Sequence, residues 1–303
     1  MLLNHHTQSF ADTLDGMGIL YTEYPLESLR ISNGLFIHGA SIGVNSSALS
    51  ATTSQKETII SFLDRSGVKV IPTEIYYQSE LVAQYGAPLQ LAQKYITKPN
   101  RGHGGLHNRI FLSPTALDSA RDFAGKQPIT TLVEVFIEGY EVRVLSVKGD
   151  IIQTIKKTPL ILVGDEISDT TTLYNLLTSH YLPGNATAVT YQKCIEAVKK
   201  MGISQDFVLE LGEELDLTQQ NYSAISLYSH VEQSDPEIQR LHDLVLHEFP
   251  LQFAGMDFLV DANGDVWYLE TNTRPGLRMF ELFDSGVREK VLKKFVTGKV
   301  GMS

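Results

Sequence analysis

Apolar positions along this chain follow two spacings, one typical of helices and one typical of strands. Apolar residues recur every three or four positions in some segments and alternate with polar residues in others. Thr53 is expected to cap the first long helix, and Gly67 to end it. Helices are predicted over about 54–66, 77–85, 113–124, 170–178, 190–201 and 236–248. Strands are predicted over about 35–37, 68–71, 95–99, 108–112, 130–137, 141–147, 151–157 and 207–211, with two more inside 253–271. This interleaving predicts an α/β or α+β fold with at least one antiparallel sheet.

The segment 253–271 predicts a β-hairpin that brings two carboxylates together. Asn263-Gly264 is a strong signal for a two-residue turn, and counting outward from it places Asp257 opposite Glu270. Asn272 follows two residues later and is expected on the same face. Opposed carboxylates among apolar residues need a compensating cation, and two carboxylates with an amide oxygen suit Mg²⁺. The alternative is an exposed hairpin whose carboxylates face water.

A lysine and a glycine-rich turn form a second candidate site. Lys98 ends a predicted strand and is followed by Gly102, Gly104 and Gly105. Backbone N–H groups of such a turn can approach phosphate oxygens closely, while the lysine supplies a point charge. The spacing matches neither common phosphate-loop motif, so a plain hairpin turn is the alternative.

The central predicted strands carry charges in apolar surroundings. Glu134 lies within an apolar strand, and Glu141 and Arg143 share one face of the next. Lys157 stands at the end of the third strand. The charges at Glu134, Glu141 and Arg143 either face a charged ligand or form structural ion pairs. For Lys157, which follows Lys156, the default expectation is a solvated lysine.

Composition narrows the class of protein. The chain has 303 residues, with 25 Lys and Arg against 35 Asp and Glu, and therefore a net charge of −10. This excess of acid argues against general binding to nucleic acid or to a membrane surface. No apolar run is long enough for a transmembrane helix. The one cysteine, Cys194, cannot form an intramolecular disulfide, which favours a cytoplasmic protein.

Taken in chain order, these motifs resemble those of ATP-grasp carboxylate–amine ligases. Three stretches carry the resemblance: Lys98-Pro99 with its glycine loop, 133–143, and 255–276. The residues 157–165 and 275–279 are most similar to the ATP-grasp part of cyanophycin synthetase and of bifunctional glutathione-synthesising enzymes. Those relatives have Ser-Thr-Gly-Gly near position 221, where this chain has Asn-Tyr-Ser-Ala. D-alanine–D-alanine ligases have an arginine where this chain has Gly255, which counts against that activity.

The resemblance implies a fold and a set of binding roles. It implies an ATP-grasp fold, in which two α+β subdomains clamp ATP, preceded by a short N-terminal α/β portion. The domains are predicted as an N-terminal region (1–90), a lid subdomain (91–140) and a catalytic subdomain (141–303). ATP is expected to contact Lys98, the loop glycines Gly102, Gly104 and Gly105, Glu134, Phe136, Ile137 and Glu141. Asp257, Glu270 and Asn272 are the expected ligands of Mg²⁺ or Mn²⁺.

The implied reaction joins a carboxylate to an amine through an acyl phosphate, with release of ADP and phosphate. Amino acids or peptides are the expected substrates, and a second copy of the chain, giving a homodimer, is one way to complete the acceptor site. Neither nucleic acid nor a membrane is an expected partner. The expected catalytic residues, facing the transferred phosphate or the acyl group, are Arg143, Lys157, Arg274, Gly276 and Arg278. Arg274 or Arg278 could instead pair with Glu281.

Two other functions fit parts of the sequence. An ATP-binding scaffold or regulator without turnover would keep the nucleotide residues, and the missing Gly-Gly stretch leaves it open. A serine hydrolase would use Ser41, because Gly39-Ala40-Ser41-Ile42-Gly43 matches the G-x-S-x-G motif. Fewer than 40 residues of this sequence precede the motif, which begins at Gly39, and this leaves little room for the upstream strands that such an enzyme needs.

Overall fold

The computed structural model describes residues 5–24, 27–90, 94–102, 108–112, 115–178, 195–196, 198–199, 201–204, 206–217, 226–232 and 235–296. Its helices are α1 (His5–Gly16), α2 (Ser47–Thr53), α3 (Lys56–Arg65), α4 (Ala116–Gly125), α5 (Thr170–Thr178), α6 (Pro236–Glu248), α7 (Arg278–Glu281) and α8 (Val287–Val296). The first strands are β1 (Tyr21–Tyr24), β2 (Ser28–Ile31), β3 (Phe36–His38), β4 (Ser41–Ile42), β5 (Thr73–Tyr77), β6 (Glu80–Tyr85), β7 (Tyr95–Pro99) and β8 (Arg109–Phe111). The remaining strands are β9 (Thr131–Val135), β10 (Gly139–Val147), β11 (Asp150–Pro159), β12 (Ile161–Val163), β13 (Glu214–Asp216), β14 (Ser226–Val231), β15 (Phe253–Asp261) and β16 (Val266–Asn272).

Two five-stranded antiparallel sheets form the centre of the fold. The first, called the β9 sheet, has the order β6-β5-β9-β7-β8, and the second, called the β10 sheet, has the order β14-β11-β10-β15-β16. Residues 136–138 carry the chain directly from one sheet to the other. A four-stranded sheet, β1-β2-β3-β4, and a two-stranded sheet, β12-β13, complete the described strands.

The β10 sheet is covered differently on its two faces. Successive residues of a strand point to opposite faces, and Val144 and Leu145 accordingly belong to different buried clusters. The cluster around Val144 packs against α3 and α6, and the cluster around Leu145 packs against α1, α7, α8 and the four-stranded sheet. Glu141 and Arg143 share the second face with Leu145 but lie beyond that cluster. This part of the sheet is therefore available for a functional site.

Several sequence-predicted elements are confirmed, and others are wrong. The helices predicted over 170–178 and 236–248 are confirmed, and Asp235 caps the second by accepting the Glu237 N–H at 2.7 Å. The helix predicted over 77–85 is wrong, because this segment contains the end of β5, a turn at residues 78–79 and the edge strand β6. Its turn requires positive φ angles at residues 78 and 79, which a helix cannot contain.

Three smaller predictions also differ from the structure. Thr53 does not cap α3, because it is the last residue of α2 and α3 begins at Lys56. Residues 68–71 are not part of any described strand, and 207–211 contains one isolated bridge, from Val208 to Asp169. The predicted helix over 190–201 and the predicted start of α4 at 113–114 lie largely outside the described residues.

The predicted domain boundaries remain a prediction. Strands β5 and β6, within the predicted N-terminal region, pair in the same sheet as β7, β8 and β9 of the predicted lid subdomain. Among the described helices, none is both long and apolar enough to cross a membrane.

Candidate active site

A cleft of about 290 Å³ is lined by residues from both five-stranded sheets. Its lining combines apolar side chains with a cluster of charges, a composition typical of small-molecule sites. The apolar side chains are Ile71, Ile96, Val135, Phe136, Ile137, Leu259, Leu269 and Met279. The charged side chains are Lys56, Lys98, Glu141, Arg143, Lys157, Asp257 and Glu270. We call it the first cleft.

Strand register explains why these charges share one cleft. Glu141 and Arg143 are two residues apart on β10 and therefore point to the same face. Lys157 lies opposite Glu141 on β11, and Asp257 lies opposite Arg143 on β15. Glu270 of β16 lies opposite Asp257. Four neighbouring strands thus present five charged residues at one patch of the sheet.

The β15–β16 hairpin reaches its predicted pairing by an unpredicted route. Residues 262–265 form the turn, so the predicted two-residue turn is wrong. A bulge at Leu269 then inserts one extra residue into β16 and shifts the register by one. The two departures cancel, and the predicted opposition of Asp257 and Glu270 is confirmed.

Two lysines of the first cleft are paired with glutamates. Lys98 Nζ lies 2.6 Å from Oε2 of Glu134, its diagonal neighbour across β7 and β9. Lys157 donates to Glu141 from the directly opposite position. Burial alone would lower the pKa of both lysines, but the glutamates raise it above the ordinary value of 10.5. Both lysines therefore stay protonated at neutral pH and supply positive charge in the cleft.

Arg143 and Lys56 are paired with the two carboxylates of the predicted metal site. Arg143 donates from Nε to Asp257 Oδ1 at 2.6 Å and from Nη2 to Oδ2, a bidentate pair. Lys56 Nζ lies 3.0 Å from Oε2 of Glu270. Burial alone would raise the pKa of Asp257, but Arg143, Lys157 and Lys56 lower it below the ordinary value of 3.8. Asp257 is therefore ionised at neutral pH despite its burial.

Replacing Asp257 with asparagine is expected to lower the free energy of unfolding by about 3 kcal/mol at pH 7, because Arg143, whose side chain is only 19% exposed, is left without its partner. The folded-state pKa of Asp257 is lowered, so its contribution is complete above about pH 4 and is lost as the pH falls through that pKa. The difference in the free energy of unfolding between wild type and Asp257→Asn should therefore become smaller as the pH is lowered. Urea unfolding at several pH values measures it.

Asp122→Asn is the matched control for that experiment, because Asp122 forms an exposed pair with Lys126. Such a pair contributes at most about 1 kcal/mol. A stability difference for Asp257→Asn that stays constant from pH 7 to pH 3 would contradict the assignment of a lowered pKa.

The donor set at Asp257, Glu270 and Asn272 fits a hard divalent cation. Carboxylate and amide oxygens are the ligands that Mg²⁺ and Mn²⁺ prefer. Asn272 Oδ1 accepts the Arg274 N–H at 2.8 Å, which fixes the orientation of the amide. Both carboxylates are already paired with cationic side chains in this structure. Asp257 accepts from Arg143 through both of its oxygens, and Glu270 contacts Lys56. Among the described residues there is no cluster of three or more His, Cys, Asp or Glu that could form a different metal site.

The residues linking the two sheets lie along the first cleft. Phe136 N donates to Lys94 O at 2.8 Å, and Val135 N donates to Pro72 O at 3.2 Å. These bonds hold the link to the strands on either side. Phe136 and Ile137 line the cleft, and Glu134 is buried behind Lys98. The predicted adenine-binding segment thus borders the cleft that contains the predicted phosphate residues.

The glycine loop is described in part. Gly102 lines the first cleft, whereas Gly104 and Gly105 lie outside the described residues. Asn100 connects the start of the loop to α3, because its carbonyl oxygen accepts the Lys56 N–H at 3.0 Å. Its Oδ1 also accepts the Glu57 N–H at 3.0 Å. The loop and the first residues of α3 therefore hold each other in place.

A second cleft, of about 700 Å³, adjoins the first and shares four lining residues with it: Lys56, Gly102, Glu270 and Asn272. Arg274 lines the second cleft, whereas Gly276 and Arg278 line neither of these two. Arg278 is exposed at the start of α7. Of the predicted catalytic residues, the structure thus brings Arg143 and Lys157 to the first cleft and Arg274 to the second.

The alternative partner considered for Arg274 and Arg278 is occupied by another arginine. Glu281 Oε1 accepts a hydrogen bond from Arg288 Nε at 2.8 Å. Neither Arg274 nor Arg278 forms an ion pair with any described residue. Their charges are therefore not used within the described part of the fold.

Lys56 lies in both clefts, although the sequence did not indicate it as a candidate site residue. Its side chain is 11% exposed, contacts Glu270 and borders both clefts. It begins a helix that the sequence predicted to start two residues earlier, and no local motif surrounds it. Its importance follows from a contact with a strand far along the chain, which no short-range pattern indicates.

Ser41 lacks the surroundings of a nucleophile. It begins the two-residue strand β4 rather than a turn between a strand and a helix. Among the described residues no histidine is hydrogen-bonded to its hydroxyl, and the nearby His38 contacts Ser28 instead. A serine hydrolase needs a base beside the nucleophile, so the structure gives no support to that alternative.

Comparisons with known proteins support the fold. No protein-family model matches the sequence, and no curated protein matches it. Among solved structures, the chain is similar to a bifunctional glutathione synthetase from Pasteurella multocida, with a TM-score of 0.60 and 16% sequence identity. The similarity covers 97% of this chain and 44% of that one, so this chain spans less than half of its length.

The D-alanine–D-alanine ligase from Bacillus anthracis is also similar, with a TM-score of 0.51 and 14% identity over 84% of this chain and 69% of that one. At such identities the comparison establishes the fold alone. The mixed α and β structure and the antiparallel sheets agree with both. The chain therefore has the ATP-grasp fold, as its motifs predicted.

Proposed function

We propose that this protein is an ATP-dependent ligase that joins a carboxylate to an amine through an acyl phosphate. One observation carries the proposal: Lys98, Arg143 and Lys157 meet the Asp257–Glu270 pair in a single cleft that borders the link between the two sheets. The fold, shared with two ligases of known structure, supports it.

The nucleotide is assigned to the first cleft. A flat adenine ring suits the apolar side chains from both sheets, including Ile96, Val135 and Leu259. Phe136 and Ile137 would present backbone groups to its edge, and Glu141 would accept from a ribose hydroxyl. The charged residues of the same cleft would then hold the phosphates.

The reaction begins with attack of a carboxylate oxygen on the γ-phosphorus of ATP. The bond to the bridging oxygen breaks, and ADP leaves. Catalysis of this step consists mainly of positioning and neutralisation of charge. Lys98, Arg143 and Lys157 would act here, because their pairs with Glu134, Asp257 and Glu141 keep them charged and fixed in the cleft.

An amine then attacks the acyl carbon and loses a proton, and phosphate leaves as the amide forms. Arg274 is the candidate to hold the acid during this step, because it borders the adjoining cleft. Asp257, Glu270 and Asn272 would hold magnesium or manganese, which neutralises charge on phosphate oxygens when bound. Amino acids or short peptides are the proposed substrates.

Incubation with ATP, Mg²⁺ and a panel of amino acids and dipeptides, tested singly and in pairs, is expected to release ADP and phosphate. With hydroxylamine in place of the amine, the acyl phosphate should be trapped as a hydroxamate in an amount equal to the ADP. Stoichiometric AMP and pyrophosphate would contradict the mechanism. Nucleotide binding without release of ADP by any acid would favour a non-catalytic ATP-binding protein instead.

A further inference from the structure

The second cleft is lined mainly by small polar side chains. Hydroxyl groups come from α2 and the residue after it, including Ser47, Ser50 and Ser54, and from the end of β16, at Thr271 and Thr273. Apart from glycine, only Ile42 and Ala51 in its lining are apolar. Ser47 and Ser50 form no side-chain hydrogen bond with the described residues, so their hydroxyls are available to a ligand. A cleft with this lining does not suit an apolar side chain.

The charge of the second cleft is positive, although the whole chain is acidic. Its ionisable side chains are Lys56, Arg101, Arg274 and Glu270. Lys56 is paired with Glu270, but neither arginine forms an ion pair with a described residue. Both arginines are exposed within a molecule whose net charge is −10. Two guanidinium groups that border one polar cleft and form no ion pair among the described residues suit an oxyanion.

The second cleft adjoins the charged part of the first. The shared residues are Lys56 and Gly102 on one side and Glu270 and Asn272 on the other. A ligand in the second cleft therefore lies next to the residues assigned to the phosphates and the metal. Such a position suits an acid whose carboxylate has to reach the γ-phosphorus.

We infer that the second cleft binds the acid substrate, and that this acid is small and polar and carries a second oxyanion besides the carboxylate that is activated. Arg274 and Arg101 hold that second oxyanion, and the hydroxyl groups of α2 contact the polar remainder. The inference rests on the proposed function, because only a ligase of this kind would use the bound acid as its substrate. It also gives Ser41, the serine of the G-x-S-x-G motif, a place in the lining of a binding cleft.

The test is a binding measurement on the full chain saturated with Mg²⁺ and a non-hydrolysable ATP analogue, so that the first cleft is filled. Isothermal titration compares L-glutamate with L-glutamine, O-phospho-L-serine with L-serine, and all four with L-leucine. At least one anionic amino acid should bind at least tenfold more tightly than its neutral partner. The two anionic probes distinguish a carboxylate from a phosphate as the second oxyanion.

Substitutions of the two arginines test whether the anionic amino acid binds in the second cleft. Arg274→Gln and Arg101→Gln should each weaken the anionic probe about fivefold or more and leave the affinity for the ATP analogue unchanged. Arg65→Gln is the matched control, because Arg65 is an exposed arginine of α3 outside both clefts. The inference is overturned if neither anionic probe binds, if leucine or the neutral partners bind as tightly, or if both arginine variants bind like wild type.

Failure of the inferred oxyanion site can be distinguished from failure of the proposed ligase function. If apolar acids release ADP fastest, the second oxyanion is wrong while the ligase proposal stands. If an anionic probe binds through Arg274 and Arg101 but no acid releases ADP, the anion site stands while the ligase proposal fails.

Discussion

Replacing Glu270 with glutamine is expected to lower ADP release by at least about 10²–10³-fold while the protein stays folded. The substitution removes one of the two opposed carboxylates and keeps the shape of the side chain. Glu270 is 27% exposed, so the stability of the fold depends on it less than on the buried Asp257. Steady-state ADP release at saturating ATP and Mg²⁺ measures the loss, and urea unfolding measures the fold.

Glu248→Gln provides the matched control, because Glu248 is exposed at the end of α6. It should retain wild-type turnover. Wild-type protein in excess chelator should be as inactive as Glu270→Gln. Undiminished turnover in chelator would show that the carboxylates do not hold a required metal.

The sequence predicted the central strands well because their patterns are local. Each strand of the β10 sheet that contributes charge to the first cleft has an apolar pattern and a polar turn within a few residues. The long hairpin was predicted correctly at Asp257 and Glu270 although its turn was not. Asp261 explains the difference, because its Oδ1 accepts the N–H groups of Asn263 and Asp265 at 2.8 and 3.0 Å and stabilises a longer turn.

The error at β6 has a different cause. Leu81 and Val82 are about half exposed on an edge strand. Their apolar side chains therefore do not mark the buried face of a helix or a strand. The pattern of apolar residues predicts structure through burial, and it fails where burial is incomplete. The pairing with β5, which decides the conformation, involves a turn at residues 78–79 with no glycine to signal it.

The charges of the first cleft illustrate what a sequence leaves open. For Arg143 the sequence allowed either a ligand contact or a structural ion pair. For Lys157 the default expectation was a solvated lysine, which is wrong, because its side chain is only 4% exposed and is paired with Glu141. In the structure both residues form ion pairs and both line the cleft. The two alternatives are therefore compatible, because a carboxylate that orients a cation also keeps it protonated until an anionic ligand arrives.

Lys56→Met is expected to lower turnover by about 10²-fold, because it removes the one lysine that borders both clefts in the described part of the chain. It also leaves Glu270 beside Asp257 without its cation, which should lower the free energy of unfolding by about 1–3 kcal/mol in the absence of metal. Added Mg²⁺ should restore part of that stability, since a bound cation replaces the lost charge. Thermal unfolding with and without Mg²⁺ measures the restoration.

Two comparisons separate this role of Lys56 from a purely structural one. Lys126→Met removes an exposed lysine paired with Asp122 and should change neither turnover nor the response to Mg²⁺. The double variant Lys56→Met/Glu270→Gln should lose less stability than the sum of the single variants, because each side chain acts on the other. Additive losses, or full turnover in Lys56→Met, would mean that the 3.0 Å pair contributes to neither the charge balance nor the chemistry. Non-additive losses of stability together with defective turnover would instead show that Lys56 balances the charge of Glu270 and also takes part in the reaction at the two clefts.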